Sequence, residues 1–402
     1  MKVGLDDRPA TAVERLAIGI RKSLTPKLWR LIFTAMLGLM FAGTAGAGTP
    51  SSDTPEEAAS RIWLWPDKTA PGSEHIAARQ LIVERSDDAG APDRIITRVT
   101  QPYLVVYRPR RPNGTALLVT PGGGYERVVL DKEGSALVPA FTEQAGVTLF
   151  VLRYRLPGDA HADARDAPLA DAQRALRLIR ARAGEWGIDP RRIGVIGFSA
   201  GGHVAASLGT RFEDKVYAAV DAADRQSARP DFMLLVYPVI DMGEGARCAA
   251  TGRGAPERRA RDGRAGPSGH DSGRARDGKC EATESIFHPG SRTRLLGATP
   301  AAADVAAYSP QRHVGADTPP TFLLHAADDD SVPVDNSLLF YDALRRAEVP
   351  AELHVYPYGG HGFGVRGARD QLARWPQLAL DWMRSLGSFP HFSKGEAEQR
   401  HR

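Results

Sequence analysis

A serine between glycines is the residue of this sequence best suited to act as a nucleophile. Gly-Phe-Ser-Ala-Gly at residues 197–201 is a G-x-S-x-G pattern that lies between an apolar run and a segment of helical periodicity. A serine on a sharp strand-to-helix turn stands clear of the sheet edge, and the flanking glycines let the strand and the helix cross closely. The helix N-terminus also favours developing negative charge. We therefore predict that Ser199 is a nucleophile.

A glycine run earlier in the chain has the composition of an oxyanion hole. Pro-Gly-Gly-Gly-Tyr at residues 121–125 follows the apolar run at 115–120. Consecutive glycines let backbone N–H groups approach a carbonyl oxygen closely. We expect the donors to be the N–H of Gly123 or Gly124 and that of Ala200. A flexible turn or a phosphate loop would use similar glycines, but the G-K-[ST] of a nucleotide loop does not follow.

A base for the serine is expected near the C-terminus, in Gly-Gly-His-Gly-Phe at residues 359–363. Among the eleven histidines, His361 follows both the serine and an acidic cluster, as the chain order Ser, Asp, His requires. His203, one helical turn after the serine, is expected to pack within its helix, and His325 lies inside a predicted strand. His361 is therefore the predicted general base.

The acid that would orient this base is one of three adjacent aspartates, Asp328, Asp329 and Asp330, which follow a predicted buried strand. A carboxylate at the C-terminal end of a strand can reach the imidazole of a Ser-His-Asp triad. A solvated acidic turn is the alternative, and we expect it to describe two of the three. The residues alone leave the choice among the three open.

Short apolar strands alternate with amphipathic helices along most of the chain. This alternation predicts an α/β fold with a mostly parallel, twisted sheet covered by helices on both faces. The opening strands have no helices between them, so we expect an antiparallel edge there. Strands are predicted at 80–84, 95–108, 115–120, 147–152, 192–197, 232–237, 321–325 and 352–356, and helices at 134–145, 168–183, 200–208, 335–347 and 369–385.

The N-terminal segment has the pattern of an export signal. Basic residues precede an apolar run at 31–41, and Ala-Gly-Ala at 45–47 offers a cleavage site. We predict a signal peptide at 1–47, a polar leader at 48–60, one domain at 61–388 and a polar tail at 389–402. The mature protein would be periplasmic or secreted, with no membrane contact after cleavage. An uncleaved membrane anchor is the alternative.

A polar segment at 244–284 interrupts the alternation of strands and helices. It is rich in Gly, Arg, Asp and Pro and almost free of large apolar residues, so we expect a disordered insertion. Cys248 and Cys280 bracket its basic part, and in an oxidising compartment they could form a disulfide or remain two free thiols.

Charge and motifs argue against several classes of partner. Residues 1–47 carry seven basic and three acidic side chains, and residues 249–279 carry eight and four, so the rest of the chain has a net charge of −4. We therefore predict no nucleic-acid surface. H-E-x-x-H, paired C-x-x-C and EF-hand patterns do not occur, so we expect no metal site.

Together these motifs resemble the acetylxylan-esterase-like, BD-FAE-related α/β-hydrolases, over about residues 60–388. The resemblance implies an α/β-hydrolase fold and a Ser199, Asp329 and His361 triad, because Asp329 holds the matching position in D-x-x-V-P. Two departures are Pro121, where many such hydrolases have histidine, and the insertion at 244–284. The matching segments are 121–125, 131–134, 153–157, 197–203, 329–333 and 359–363.

The resemblance further implies a serine carboxylesterase that needs no cofactor. Its expected substrate is a small-molecule or polysaccharide ester, with acetylated carbohydrate such as xylan as the leading case. An amide hydrolase, either a peptidase or a formamidase, would use the same triad. A non-catalytic binding protein on this scaffold would usually lack a triad member, whereas all three are present here. The sequence carries no signal for a particular oligomeric state.

Deletion of residues 249–279 is expected to leave the thermal midpoint within a few degrees of wild type, because long polar loops add little to the free energy of folding. Limited proteolysis of the native protein should cleave first within the same segment. A fall of tens of degrees on deletion would contradict the prediction and would favour a Cys248–Cys280 disulfide that stabilises the fold.

Overall fold

Two β-sheets of more than two strands organise this structure, a computed structural model that describes residues 49–77, 79–243, 246–248 and 283–386. The predicted signal peptide, most of the insertion, Cys280 and the C-terminal tail lie outside the described residues. The strands are β1 (Thr49–Ser51), β2 (Arg61–Trp63), β3 (Leu81–Glu84), β4 (Arg94–Thr97), β5 (Tyr103–Tyr107), β6 (Ala116–Thr120), β7 (Val128–Val129), β8 (Thr148–Arg153), β9 (Ile193–Phe198), β10 (Met233–Val236), β11 (Ala246–Cys248), β12 (Thr283–Ser285), β13 (Thr321–Ala326) and β14 (Ala351–Tyr356).

The larger sheet has the order β14-β13-β10-β9-β6-β8-β5-β2. The six strands from β14 to β8 are parallel, and β5 and β2 extend the sheet antiparallel. The mostly parallel sheet and its antiparallel opening edge are therefore confirmed. The smaller sheet, β1-β3-β4-β7, is antiparallel throughout.

Helices cover both faces of the larger sheet. Successive residues of each strand point to opposite faces and therefore pack into two different hydrophobic clusters. Along β6, Leu118 packs into one cluster, whereas Leu117 and Val119 pack into the other. Residues of the helices Ala167–Ala181 and Ser199–Thr210 belong to the first cluster, and residues of the π-helix Val138–Gln144 and of the helix Trp375–Ser385 belong to the second. The helices are α1 (Pro55–Ala59), α2 (Ala167–Ala181), α3 (Ser199–Thr210), α4 (Pro289–Leu296), α5 (Ala302–Ala307), α6 (Asp335–Arg346) and α7 (Trp375–Ser385).

Two predicted elements differ from the structure in kind. The strand predicted over 95–108 is two strands, β4 and β5, because Arg98 has a left-handed φ of 54° and the chain changes sheets there. The helix predicted over 134–145 is a short 3₁₀ turn followed by the π-helix.

The segment expected as a polar leader, residues 48–60, contains ordered elements. β1 pairs with β3, and Thr54 and Glu57 form a capping box on α1. Glu57 is buried, and its carboxylate receives two hydrogen bonds from the guanidinium of Arg94, at 2.7 and 2.9 Å. Arg94 also donates to Asp131, at 2.6 Å. Hydrophobic periodicity did not predict these elements, because a network of charged side chains, and not an apolar stripe, attaches the segment to the domain.

The two ends of the polar insertion meet at one buried side chain. Asn336, in α6, accepts hydrogen bonds from the amides of Ile240 and Asp241, at 2.9 and 3.0 Å. Its amide group donates to the carbonyl of Ile286, at 2.6 Å. The described ends of the segment predicted to be disordered, β11 and β12, form an antiparallel pair. The insertion therefore leaves and re-enters the domain at a fixed point.

Replacing Asn336 with Ala should lower the free energy of unfolding by roughly 3 kcal/mol, because several buried backbone groups would lose their partners. Denaturant unfolding measures the change. Gln377→Ala, which removes an exposed amide bonded to Asp381, is the matched control and should stay within about 0.5 kcal/mol of wild type. An Asn336 variant as stable as this control would contradict the role given to the side chain.

Candidate active site

Ser199 stands at the junction between β9 and α3 with a left-handed φ of 52°, which non-glycine residues rarely adopt. Two glycines permit this turn. A Cβ at Gly201 would lie 2.0 Å from the carbonyl oxygen of Thr120, and one at Gly197 would lie 2.4 Å from that of Gly201. Larger residues at either position would push the strand and the helix apart, so the G-x-S-x-G pattern follows from the close approach of the backbones.

His361 lies beside the serine, with its Nε2 2.9 Å from Ser199 Oγ. Its neighbours Gly360 and Gly362 have φ values of 61° and 70°, so the loop needs glycine on both sides. The amide of Gly360 donates to the carboxylate of Asp328, at 2.8 Å, and the imidazole packs edge-on against Tyr237. The loop is therefore fixed although the ring remains partly exposed.

Among the three aspartates, the structure brings Asp329 to the imidazole. Its Oδ2 lies 2.7 Å from His361 Nδ1, while Asp328 and Asp330 are exposed. The other oxygen of Asp329, Oδ1, accepts hydrogen bonds from the amides of Ser331 and Val332. Burial acts to raise the pKa of Asp329, but hydrogen bonds from His325, His361 and the Val332 amide outweigh it and leave the pKa well below its usual range. The carboxylate is therefore charged and correctly oriented.

His325 supports this carboxylate, which sequence reasoning did not foresee. Its Nε2 lies 2.9 Å from the carbonyl oxygen of Val332 and 3.3 Å from Asp329 Oδ2. Both are acceptors, so Nε2 carries the proton and Nδ1 accepts from the hydroxyl of Ser337, at 2.7 Å. The spacing of four residues between His325 and the acid was the only sequence signal available.

The glycine run lies against the serine turn. A Cβ at Gly122 would lie 2.8 Å from the Cβ of Ser199. The Gly122 amide already donates to Glu133, at 2.7 Å. Among the described residues, the amides of Gly123, Gly124 and Ala200 donate to no other group, so these predicted donors remain available to a ligand oxygen.

A buried carboxyl, Glu133, connects the glycine run to the loop of His361. One of its oxygens accepts from Gly122, and the other accepts from the hydroxyl of Tyr237, at 2.9 Å. The same hydroxyl accepts from the amide of Gly364, at 3.0 Å. Burial raises the pKa of Glu133 despite these hydrogen bonds. The sequence indicated this residue only as part of the segment 131–134, without a role.

Tyr125, which ends the glycine run, is held by His203. Tyr125 has a left-handed φ of 60°, and its hydroxyl lies 2.6 Å from His203 Nδ1. Since His203 Nε2 donates to the carbonyl of Tyr308, at 2.7 Å, Nδ1 is the acceptor of the phenol proton. Burial lowers the pKa of His203 to about 4, so the ring is neutral near pH 7. This histidine, expected only to pack within its helix, also fixes the end of the candidate oxyanion hole.

Within the described part of the chain, no group of three or more His, Cys, Asp or Glu side chains is arranged to hold a metal ion. The described helices also include none that is long and apolar enough to cross a bilayer.

Two family models match the chain. Residues 105–260 match BD-FAE, and residues 290–387 match the prolyl oligopeptidase family. The first match contains Ser199 and the glycine run, and the second contains Asp329 and His361. The two families therefore account for different parts of the same site.

Curated relatives and a solved structure are similar over much of the chain. Endo-1,4-beta-xylanase B of Butyrivibrio fibrisolvens is 33% identical over 249 residues, which cover 62% of this chain and 32% of that protein. The acetylxylan esterase of Xylanibacter ruminicola is 31% identical over 291 residues, which cover 71% and 46%. The chain thus spans about a third of the first relative's length and just under half of the second's. The crystal structure of an acetyl ester-xyloside bifunctional hydrolase from Caldicellulosiruptor lactoaceticus is 32% identical, with a TM-score of 0.59, and the match covers 86% of this chain and 100% of that one.

Replacing Asp329 with Asn should slow the reaction of Ser199 with a fluorophosphonate probe by about 10³-fold or more, because the imidazole would lose the anion that orients it. Mass spectrometry of the labelled protein measures the rate. Asp330→Asn is the matched control and should stay within about twofold of wild type, since among the described residues this exposed carboxylate accepts a hydrogen bond from Ser331 alone. A larger loss at Asp328 or Asp330 would transfer the assignment to that residue.

Proposed function

Because the chain belongs to the acetylxylan-esterase-like, BD-FAE-related family of α/β-hydrolases, we propose that it is a serine carboxylesterase that removes small acyl groups, chiefly acetyl, from carbohydrate esters such as acetylated xylan. The observation that carries the proposal is the continuous hydrogen-bonded chain Ser199–His361–Asp329, at 2.9 and 2.7 Å, beside unpaired backbone donors. The names of the acetylxylan esterase and of the acetyl ester-xyloside hydrolase support the choice of ester substrates.

In the proposed reaction, His361 Nε2 removes the proton of Ser199 as its Oγ attacks the ester carbonyl carbon. The imidazolium that forms donates to the charged Asp329, and three other donors, the amides of Ser331 and Val332 and the ring of His325, hold that carboxylate in place. His361 then returns the proton to the alcohol oxygen as the bond between that oxygen and the acyl carbon breaks. Water, deprotonated by the same imidazole, then attacks the acyl carbon. The bond to Ser199 Oγ breaks, the carboxylic acid leaves, and the imidazolium returns the proton to Oγ.

The negative oxygen of the tetrahedral intermediate would be held by the amides of Gly123 or Gly124 and of Ala200. These donors are fixed before the substrate arrives, so they need no reorganisation as charge develops. The positive end of α3 adds to the stabilisation, since Ala200 lies in its first turn.

A preference for a small acyl group agrees with the names of the acetylxylan esterase and of the acetyl ester-xyloside hydrolase to which the chain is similar. A long acyl chain would gain about 0.8 kcal/mol for each CH₂ only if it entered an apolar pocket. The insertion at 244–284, which lies between the serine and the acid in the sequence, is strongly polar. We therefore propose a preference for acetyl.

Amide hydrolysis is the second candidate, and the match of residues 290–387 to the prolyl oligopeptidase family favours it. A Ser-His-Asp site can attack either bond, because the nucleophile and the base are shared. Comparison of p-nitrophenyl acetate with p-nitroacetanilide separates the two, since both carry the same acyl group. We expect ester hydrolysis to dominate.

We also propose that the protein is exported, on the basis of the signal pattern in residues 1–47.

The specificity constant kcat/KM for p-nitrophenyl esters should fall as the acyl chain grows from acetyl to octanoyl, and acetylated xylan should release acetate. The Ser199→Ala variant is the negative control, because it lacks only the attacking hydroxyl. It should retain far less than a tenth of wild-type turnover. A kcat/KM that rises through octanoyl would contradict the proposed acetyl preference. A Ser199→Ala variant as active as wild type would exclude Ser199 as the nucleophile.

A further inference from the structure

His288 is a half-buried histidine at the edge of the site that the proposed triad and oxyanion hole do not use. It immediately precedes α4, at the point where the chain returns from the polar insertion. Its Nδ1 accepts a hydrogen bond from the amide of Ser291, at 3.0 Å, and so caps the helix. The hydroxyl of Ser291 lies 2.8 Å from the same nitrogen.

The cap determines where the proton of His288 lies. Because Nδ1 is the acceptor for the Ser291 amide, the neutral ring carries its hydrogen on Nε2. Burial lowers the pKa of His288, and the neighbouring His361 and Arg294 lower it further. The ring is therefore a neutral donor, and its Nε2–H has no hydrogen-bond partner among the described residues.

The ring lies beside the glycine run that forms the candidate oxyanion hole. Its Cε1, the ring carbon between Nδ1 and Nε2, lies 3.8 Å from the position that a Cβ would take at Gly124. It is also close enough to His361 and Asp329 for each to affect its pKa. Arg294, one turn into α4, donates to Glu126 at 2.5 Å and so attaches the helix to the residue that follows the glycine run and Tyr125.

We propose that the Nε2–H of His288 donates a hydrogen bond to an oxygen of the alcohol part of the ester, namely a hydroxyl next to the esterified carbon. This inference rests on the proposed esterase function. The carbonyl oxygen already has backbone donors at Gly123 or Gly124 and at Ala200. An acetyl group offers no second acceptor, so a further donor at this position is available to the alcohol. His288 is then a residue that selects esters of polyhydroxy alcohols over esters of simple ones.

The test compares His288→Asn with wild type on two esters that differ by one hydroxyl, trans-2-hydroxycyclohexyl acetate and cyclohexyl acetate. Asparagine is a good helix cap, so the variant keeps the bond to the Ser291 amide but is too short to present the Nε2 donor. Acetate release gives kcat/KM for each ester. We expect a loss of about tenfold on the hydroxy ester, as for one lost hydrogen bond, and less than about twofold on cyclohexyl acetate.

A second variant separates the donor from the cap. The Ser291→Ala variant keeps the His288 ring and the backbone amide at position 291 but lacks the hydroxyl beside Nδ1. It should leave the ratio of kcat/KM for the hydroxy ester to kcat/KM for cyclohexyl acetate unchanged. Equal losses on both esters with His288→Asn, or no loss on either, would overturn the inference while leaving the esterase proposal intact. A wild-type protein that hydrolyses neither ester nor p-nitrophenyl acetate would overturn the proposed function itself.

Discussion

The close approach of α3 to the end of β6 is the constraint on which the rest of the site depends. The backbone of Gly201 lies so near the carbonyl of Thr120 that a Cβ there would meet it at 2.0 Å. The Thr120 hydroxyl also donates to the carbonyl of Gly201, at 2.9 Å. This contact brings the serine turn and the glycine run together at the carboxyl edge of neighbouring parallel strands. The contact between α3 and the end of β6 thus positions both the proposed nucleophile and the proposed oxyanion donors.

Polar cross-links then attach the remaining parts to this centre. Glu133 joins the glycine run to Tyr237 and, through it, to the loop after His361. Asp328 holds the amide of Gly360 on the other side of the same histidine. These bonds fix loops that glycine would otherwise leave free to move, which is the arrangement that a preorganised site requires. The glycines allow the backbone conformation of these loops, and hydrogen bonds to the carboxylates of Glu133 and Asp328 hold the loops in it.

Two buried carboxyl groups of the site have pKa values shifted in opposite directions. Burial acts to raise the pKa of both, but Asp329 has donors at both oxygens, from two histidines and two amides, and its pKa is lowered. Glu133 has only the Gly122 amide and the Tyr237 hydroxyl, and its pKa is raised. The larger number of donors to Asp329 agrees with the lower pKa of its carboxyl group. Asp329 is the one suited to face an imidazolium.

The sequence by itself determined the fold class, the serine turn, the glycine run and the histidine loop. Each of these depends on local chemistry, namely strand periodicity or a glycine where no side chain fits. Choosing Asp329 over its neighbours required the resemblance to a family, and its donors were visible only in the structure. Tertiary structure alone decided the roles of His325, Glu133, His203 and Asn336, because each acts through a partner distant in the chain or through a backbone group that no pattern marks. The same reason explains why residues 49–59 were missed: the Arg94 network that orders them joins charged groups about 37 positions apart.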